Sequence, residues 1–199
     1  MFRIIVICFA CTLTGLSGCK NEDATRGDIL YADGKYKEAI SAYTEYIKLN
    51  PHSVRSFYNR GRSYEELGQF ETALADFQTV LDLDKKNTSA YLSLAKYYYR
   101  KGKYKQALFN ADKALEFNDQ LSQGFFWKGR SHHQLGEFPQ ALNAYNYAIN
   151  LNRDLGEAYL YRGAVKIQLK KNKGACGDFR SASNLDVPEA KDAIKSYCR

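Results

Sequence analysis

Five cysteines and three histidines are the side chains of this 199-residue chain best suited to nucleophilic or metal chemistry. Their spacing argues against most of it. His132 and His133 are neighbours, and neighbours on a helix point about 100° apart, so they do not make the i, i+4 pair that chelates a metal. Asp82-Leu83-Asp84 begins like a calcium loop, but no glycine or distal glutamate follows in place. Asn87-Thr88-Ser89 matches a glycosylation sequon by chance. There is no H-E-x-x-H, no G-x-S-x-G and no Walker-type phosphate loop. No catalytic residue, metal or cofactor is therefore expected, and the chain reads as a non-enzyme. The cysteine that invites chemistry is Cys19, in the stretch Leu16-Ser17-Gly18-Cys19.

What precedes Cys19 decides its role. Arg3 gives a short positive start, and Ile4 to Leu16 is a nearly uninterrupted apolar run of thirteen residues. A bilayer-spanning helix needs about 20 residues, so the run suits the core of a secretory signal over residues 1–18. Leu16-Ser17-Gly18-Cys19 resembles the bacterial lipobox. That resemblance implies cleavage before Cys19, a diacylglyceryl group on its sulfur, and an acyl chain such as palmitate on the new amino terminus. The mature protein would then be secreted and lipid-anchored rather than membrane-spanning. Lys20 stands where an aspartate would, by the same resemblance, hold the protein in the inner membrane, which points to the outer membrane and leaves its periplasmic or surface face open. The alternative is an ordinary signal peptide with a leftover thiol.

The remaining chain must supply whatever Cys19 anchors, and it is one unit repeated. Ala39, Ala73, Ala107, Ala141 and Ala175 are each 34 residues apart. Gly27, Gly61, Ala95, Gly129 and Gly163 keep the same beat with a small residue each time. Tyr43, Phe77, Tyr145 and Phe179 keep it with a large aromatic, Ala111 being the exception. Small residues let two helices approach closely, and aromatics fill the space between hairpins, which gives the sixteen tyrosines and eleven phenylalanines places to pack. Within a unit the periodicity is helical: Phe57, Gly61 and Tyr64 share one face, Gly68 breaks the chain, and Phe70, Ala73, Leu74 and Phe77 begin a second face. Gly34, Gly102 and Gly136 repeat the break.

This pattern resembles the tetratricopeptide repeat (TPR). The resemblance implies an all-α fold: a right-handed solenoid of five helix-turn-helix units at about 20–53, 54–87, 88–121, 122–155 and 156–187, filling an array over 19–187. The fifth unit departs from the pattern, with Lys170 at the turn glycine and Asn172 at the following aromatic, and the first has Asp23 and Arg26 at usually apolar positions. After Pro188 the segment 188–199 reads as a capping helix with an apolar stripe of Ala190, Ala193, Ile194 and Tyr197. If Cys8 and Cys11 leave with the signal and Cys19 takes lipid, Cys176 and Cys198 remain as an even pair in an oxidising compartment. A disulfide between them, in an ending similar to that of many bacterial TPR proteins, would pin the cap to the last repeat; two idle thiols are the alternative.

In TPR arrays the first helix of each unit lines the concave side, where ligands usually bind. One residue beyond the small position the column reads Asp28, Arg62, Lys96, Arg130 and Ala164. Three cations thus stack in adjacent repeats, with Tyr58, Asn59, Tyr99, Arg100, Phe126 and His133 nearby. Arginine among aromatics suits a protein or peptide partner with an acidic or C-terminal segment. The alternative is a solvated groove whose cations answer Glu65 and Glu66. The TPR carboxylate clamp is not supported: Asn59 matches one position, but Ala24, Asp28, Ser89 and Ser93 occupy the others. The net charge of +7 also admits an electrostatic binder of nucleic acid or anionic polymer, or a non-catalytic subunit of an enzyme complex. No basic block exceeds Lys170-Lys171-Asn172-Lys173, which counts against nucleic acid. The favoured reading is a membrane-tethered scaffold working in envelope assembly or secretion.

Overall fold

The structure is a computed structural model that describes residues 19–198. The expected signal at 1–18 lies outside that range, and of Cys19 only the backbone is described. Among the described residues there are eleven α-helices and no strand. They pair as α1 (Cys19–Ala32) with α2 (Tyr36–Leu49), α3 (Val54–Glu66) with α4 (Phe70–Leu83), α5 (Thr88–Arg100) with α6 (Tyr104–Phe117), α7 (Ser122–Gln134) with α8 (Phe138–Leu151), and α9 (Gly156–Gln168) with α10 (Asn172–Asn184), and α11 (Pro188–Tyr197) closes the array. Each helix packs mainly on its neighbours in sequence, the arrangement of a solenoid.

Local chemistry sets the helix ends. The Ser53 and Asn87 side chains accept from backbone N–H groups in the first turns of α3 and α5. Within the first four hairpins the turn is a glycine at positive φ: Gly34 (73°), Gly68 (73°), Gly102 (70°) and Gly136 (77°). At Gly68, its N–H donates to Glu65 O (2.9 Å) and the next N–H to Tyr64 O (2.9 Å), which satisfies carbonyls that the helix end leaves open. Lys170 adopts the same left-handed backbone (φ 57°), and both equivalent bonds form: its N–H donates to Ile167 O and the Lys171 N–H to Lys166 O. The last turn therefore keeps its geometry without glycine, at a steric cost of about 1–2 kcal/mol.

The two helices of a hairpin meet where a small residue faces an aromatic ring. A Cβ placed on Gly27 would lie 2.5 Å from the Tyr43 ring, on Gly61 2.7 Å from Phe77, on Gly129 2.8 Å from Tyr145, and on Gly163 2.5 Å from Phe179. None of these rings is more than 1% exposed, and burial of each contributes about 1.5–3 kcal/mol. In the third hairpin the small position is Ala95, and Ala111 stands where the ring would be; both are fully buried. The methyl and the ring exclude each other, which explains the break in the aromatic column.

A second, polar clasp ties some hairpins together. Arg60 on α3 donates through Nε and Nη2 to both carboxylate oxygens of Asp76 on α4 (2.9 and 2.7 Å) and through Nη1 to Thr44 of the preceding hairpin. Arg162 repeats this with Asp178 (3.0 and 2.6 Å) and Asn146, and Lys166 adds a further ion pair to Asp178 at 2.7 Å. Both aspartates are buried, and the two-pronged geometry is the strong form of such a pair.

The cap sits on α10, with Ala190 and Val187 buried; Val187 fits over the space left by Gly156. The expected stripe is only partly inward. Ala193 and Ile194 are half-buried, and Tyr197 is 54% exposed, at the helix end where its ring centroid lies 6.1 Å from that of Phe179. Cys176 and Cys198 are bonded, with Cα atoms 5.6 Å apart across a separation of 22 residues. Closing a loop of that size contributes about 3 kcal/mol in the chain-entropy account.

Helix propensity alone favours alanine over glycine by about 1 kcal/mol, so Gly61→Ala isolates the ring contact: it is expected to destabilise, by about 1–3 kcal/mol. Phe77→Ala alone should cost about 3–5 kcal/mol. The double variant, which reproduces the Ala95–Ala111 pair, should cost clearly less than the sum in a urea-denaturation cycle. Additive losses would show that glycine and ring do not constrain each other.

Candidate partner-binding groove

The first helices of successive hairpins lie side by side, with α1 against α3, α5 against α7 and α7 against α9. A cleft of about 250 Å³ runs across α3, α5 and α7. It brings together Tyr58, Arg62 and Lys96 of the sequence reading and adds Glu65, Leu92, Gln123 and Trp127.

The cations of the column are held by one recurring rung, in which each meets the side chain 31 residues earlier on the preceding first helix. Arg62 Nη2 donates to the Tyr31 hydroxyl (2.7 Å) and its guanidinium lies 4.7 Å from that ring. Lys96 is 3.5 Å from the Glu65 carboxylate. Arg130 donates through Nε (3.2 Å) and Nη2 (2.9 Å) to the Tyr99 hydroxyl. Its guanidinium carbon is 3.8 Å from the Tyr161 ring centroid, 4.5 Å from Tyr99 and 5.9 Å from Trp127. Two rungs are thus arginine on tyrosine and one is an ion pair. Glu65 does answer a cation, Lys96, whereas Glu66 accepts from Tyr31 (3.3 Å).

Asp28 heads the same column and is saturated. It accepts from the Tyr43 hydroxyl (2.7 Å), from Asn59 Nδ2 (2.8 Å) and from Arg55. Burial, reinforced by the Asp28 bond, pushes the Tyr43 phenol well above its ordinary range. Asn59 is accordingly occupied within the fold.

Two residues fall elsewhere than expected. Phe126 is only 2% exposed, in a core cluster with Ala141, Tyr145 and Val165; it faces inward and backs the groove without reaching its surface. Arg100 ends α5 and stacks on Phe70, the first residue of α4, at 4.6 Å, a position at the hairpin turn outside the cleft lining. His133 is half-buried, edge-on to Phe138 at 5.9 Å. Burial first, and the Arg130 charge second, lower its pKa below 6.5. Trp127 and Tyr161 were missed by the sequence reading although both lie in the 34-residue column of Asn59. The column was visible; that its ring faces would sandwich Arg130 was not.

Among the described residues no group of three or more His, Cys, Asp or Glu side chains could hold a metal ion, and His132 is engaged with Glu137 (Nδ1 to Oε2, 2.5 Å). No described helix is long and apolar enough to cross a membrane.

Comparison with known proteins points one way. A family model described as TPR repeat matches residues 27–68, 61–102 and 129–170, and one described as tetratricopeptide repeat matches residues 88–120. Hsp70-Hsp90 organizing protein 1 of Arabidopsis thaliana is 42% identical over 48 residues, 24% of this chain. The match spans only 8% of that relative's length. Among solved structures, MamA superposes with a TM-score of 0.71 at 22% identity, covering 86% of this chain and 94% of its own. MamA from Desulfovibrio magneticus RS-1 gives 0.75 at 16%, covering 86% and 97%. YrrB, a TPR protein with an unusual peptide-binding site, gives 0.69 at 18%, covering 87% and 90%.

Because its pKa is lowered in the folded state, His133 resists protonation there more than in the unfolded chain. Its contribution is complete above the ordinary value near 6.5 and is lost as pH falls through the lowered one. Thermal unfolding midpoints compared above and below pH 6.5 should therefore fall less on acidification in His133→Gln than in the parent. An equal fall would mean that Arg130 and burial do not act on this imidazole.

Proposed function

Since the chain belongs to the tetratricopeptide repeat family, we propose that it is a non-catalytic, membrane-tethered scaffold that holds a protein partner by an acidic or C-terminal segment in its concave groove. The observation that carries this reading is the state of the two groove arginines. Arg60 and Arg162 each have a carboxylate, and so does Lys96. Arg62 and Arg130 donate only to tyrosine hydroxyls among the described residues. A guanidinium is satisfied best by a planar anion, and a partner's carboxylates would supply it. YrrB, which shares the fold, is a TPR protein with a peptide-binding site, in keeping with a peptide partner here.

The tether in this proposal is a lipid on Cys19. Cys19 already lies in α1 (Cys19–Ala32), so in this proposal the first hairpin follows the anchor closely and the array would stand against the bilayer. The outer membrane and a role in envelope assembly or secretion remain the preferred setting.

Crosslinking in native membranes followed by mass spectrometry should recover a defined partner that is lost when Arg62→Ala and Arg130→Ala are combined. Recovery of the same partners from the double variant would rule out the groove. Cys19→Ser should move the protein from the membrane to the soluble fraction, and unchanged fractionation would rule out the anchor.

A further inference from the structure

The groove reading treats the column as a surface; one position in it is built differently. The ring that packs on each small residue lies 16 positions downstream of it, and the column residue next to that small position varies with the repeat. In the first hairpin the ring is Tyr43, and its hydroxyl donates to Asp28 (2.7 Å), which occupies the column position. In the second and fifth the ring is Phe77 or Phe179, under Arg62 or Ala164, so no acceptor is present and no hydroxyl either. In the fourth the ring is Tyr145 and the column residue is Arg130, which can only donate. The Tyr145 side chain is fully buried, and among the described residues its hydroxyl has no hydrogen-bond partner. Leaving such a group unpaired costs about 1–3 kcal/mol, and the second and fifth repeats show that phenylalanine fits the same place.

We infer that the fourth repeat carries a discrete carboxylate-binding site, formed by the Arg130 guanidinium and the Tyr145 hydroxyl between the rings of Tyr99, Trp127 and Tyr161. This rests on the groove reading and assigns the position in the groove at which the acidic group enters. A carboxylate takes the place that Asp28 fills in the first repeat, accepting from the tyrosine below it. Arg130 makes no hydrogen bond through Nη1 among the described residues, so a donor is open to the anion. The Tyr145 oxygen is covered in the unliganded protein, so reaching it requires the guanidinium to slide across Tyr161. Stacking between rings orients the guanidinium and excludes water from the pair, which strengthens each bond to the anion. A guanidinium held between flat rings pairs side-on with a planar carboxylate better than with a tetrahedral phosphate.

Trp127 is the only tryptophan in the chain and lies 5.9 Å from Arg130, so its fluorescence reports the site directly. The probes are three N-acetylated tetra-alanine peptides: one with a free C-terminal carboxylate, one C-terminally amidated, and one amidated with a single internal glutamate. A saturable signal with a carboxylate peptide and none with the all-alanine amide is expected; which carboxylate peptide binds distinguishes a chain terminus from a side chain. Arg130→Gln should abolish the signal. Tyr145→Phe should weaken binding about tenfold, equivalent to 1.4 kcal/mol, while leaving the unfolding midpoint of the free protein unchanged or raised. Parent-like affinity in Tyr145→Phe, no saturable binding up to millimolar peptide, or equal competition by inorganic phosphate would each overturn the site. If Arg62→Ala loses binding while Arg130→Gln and Tyr145→Phe keep it, the groove function stands and this site falls.

Discussion

A glycine facing an aromatic ring is the contact on which the rest of this protein is stacked. Four hairpins bring a ring so close to a helix backbone that a single added methyl would collide with it, at 2.5 to 2.8 Å. That approach fixes how deeply the two helices of a hairpin mesh, and with it the position of everything on their outer faces. The third hairpin obeys the same rule from the other side: with Ala95 in place of glycine, the ring is gone and Ala111 fills what remains. Interior packing tolerates changes of shape only when volume is conserved, and here the chain conserves it by exchanging a pair. Because the contact recurs at a fixed 34-residue interval, the first helices fall into register with one another. The rungs Tyr31–Arg62, Glu65–Lys96 and Tyr99–Arg130 follow from that register rather than from any local preference of the residues themselves.

The fold was legible in the sequence because it depends on residue size at a regular interval, and size is written plainly in residue type. The small column, the ring column and the turn glycines each needed only counting. Even the exceptions carried information: Ala95 and Ala111 fall in the same repeat, and Lys170 marks a left-handed turn that keeps its two backbone bonds without glycine. The site was less legible, for a physical reason. A periodic column says which residues share a face, but a helix face is broad, and adjacent columns differ by about 100°. Phe126 and Trp127 are neighbours in sequence, yet the first is buried in the core and the second lines the cleft. Both rings lie close to the Arg130 guanidinium, yet only Trp127 reaches the cleft surface. The Arg60–Asp76 and Arg162–Asp178 clasps were missed although both recur at a spacing of 16. A shared spacing does not by itself show which charges meet, and that is seen only once the helices are folded back.

Within the aligned column the decisive question is where each polar group finds its partner. Buried polar groups in folded proteins are nearly always satisfied, and this one is consistent about it. Asp76 and Asp178 are buried but doubly bonded by arginine. Asp28 collects three donors at the head of the array. In the second and fifth hairpins, where the ring has nothing to donate to, it is phenylalanine; Tyr145 in the fourth is the exception. Two kinds of charge therefore coexist on the same helices: those that complete a clasp and belong to the fold, and those that end on a tyrosine hydroxyl.

The ends of the array differ from its middle in the same respect. At the first hairpin, Asp28, Tyr43, Asn59 and Arg55 close a network among themselves. At the last, the Cys176–Cys198 bond and the buried Ala190 hold the cap in place, and the column position is Ala164, which has no charge to offer. Both ends are complete without a ligand. The fourth repeat is not: a fully buried tyrosine hydroxyl lacks an acceptor, and the arginine above it lacks an anion. The two deficiencies are complementary in chemistry, since an acceptor with negative charge removes both at once. Repetition makes this argument possible, because the same position built with aspartate or with phenylalanine shows what the fold does when it has no such need.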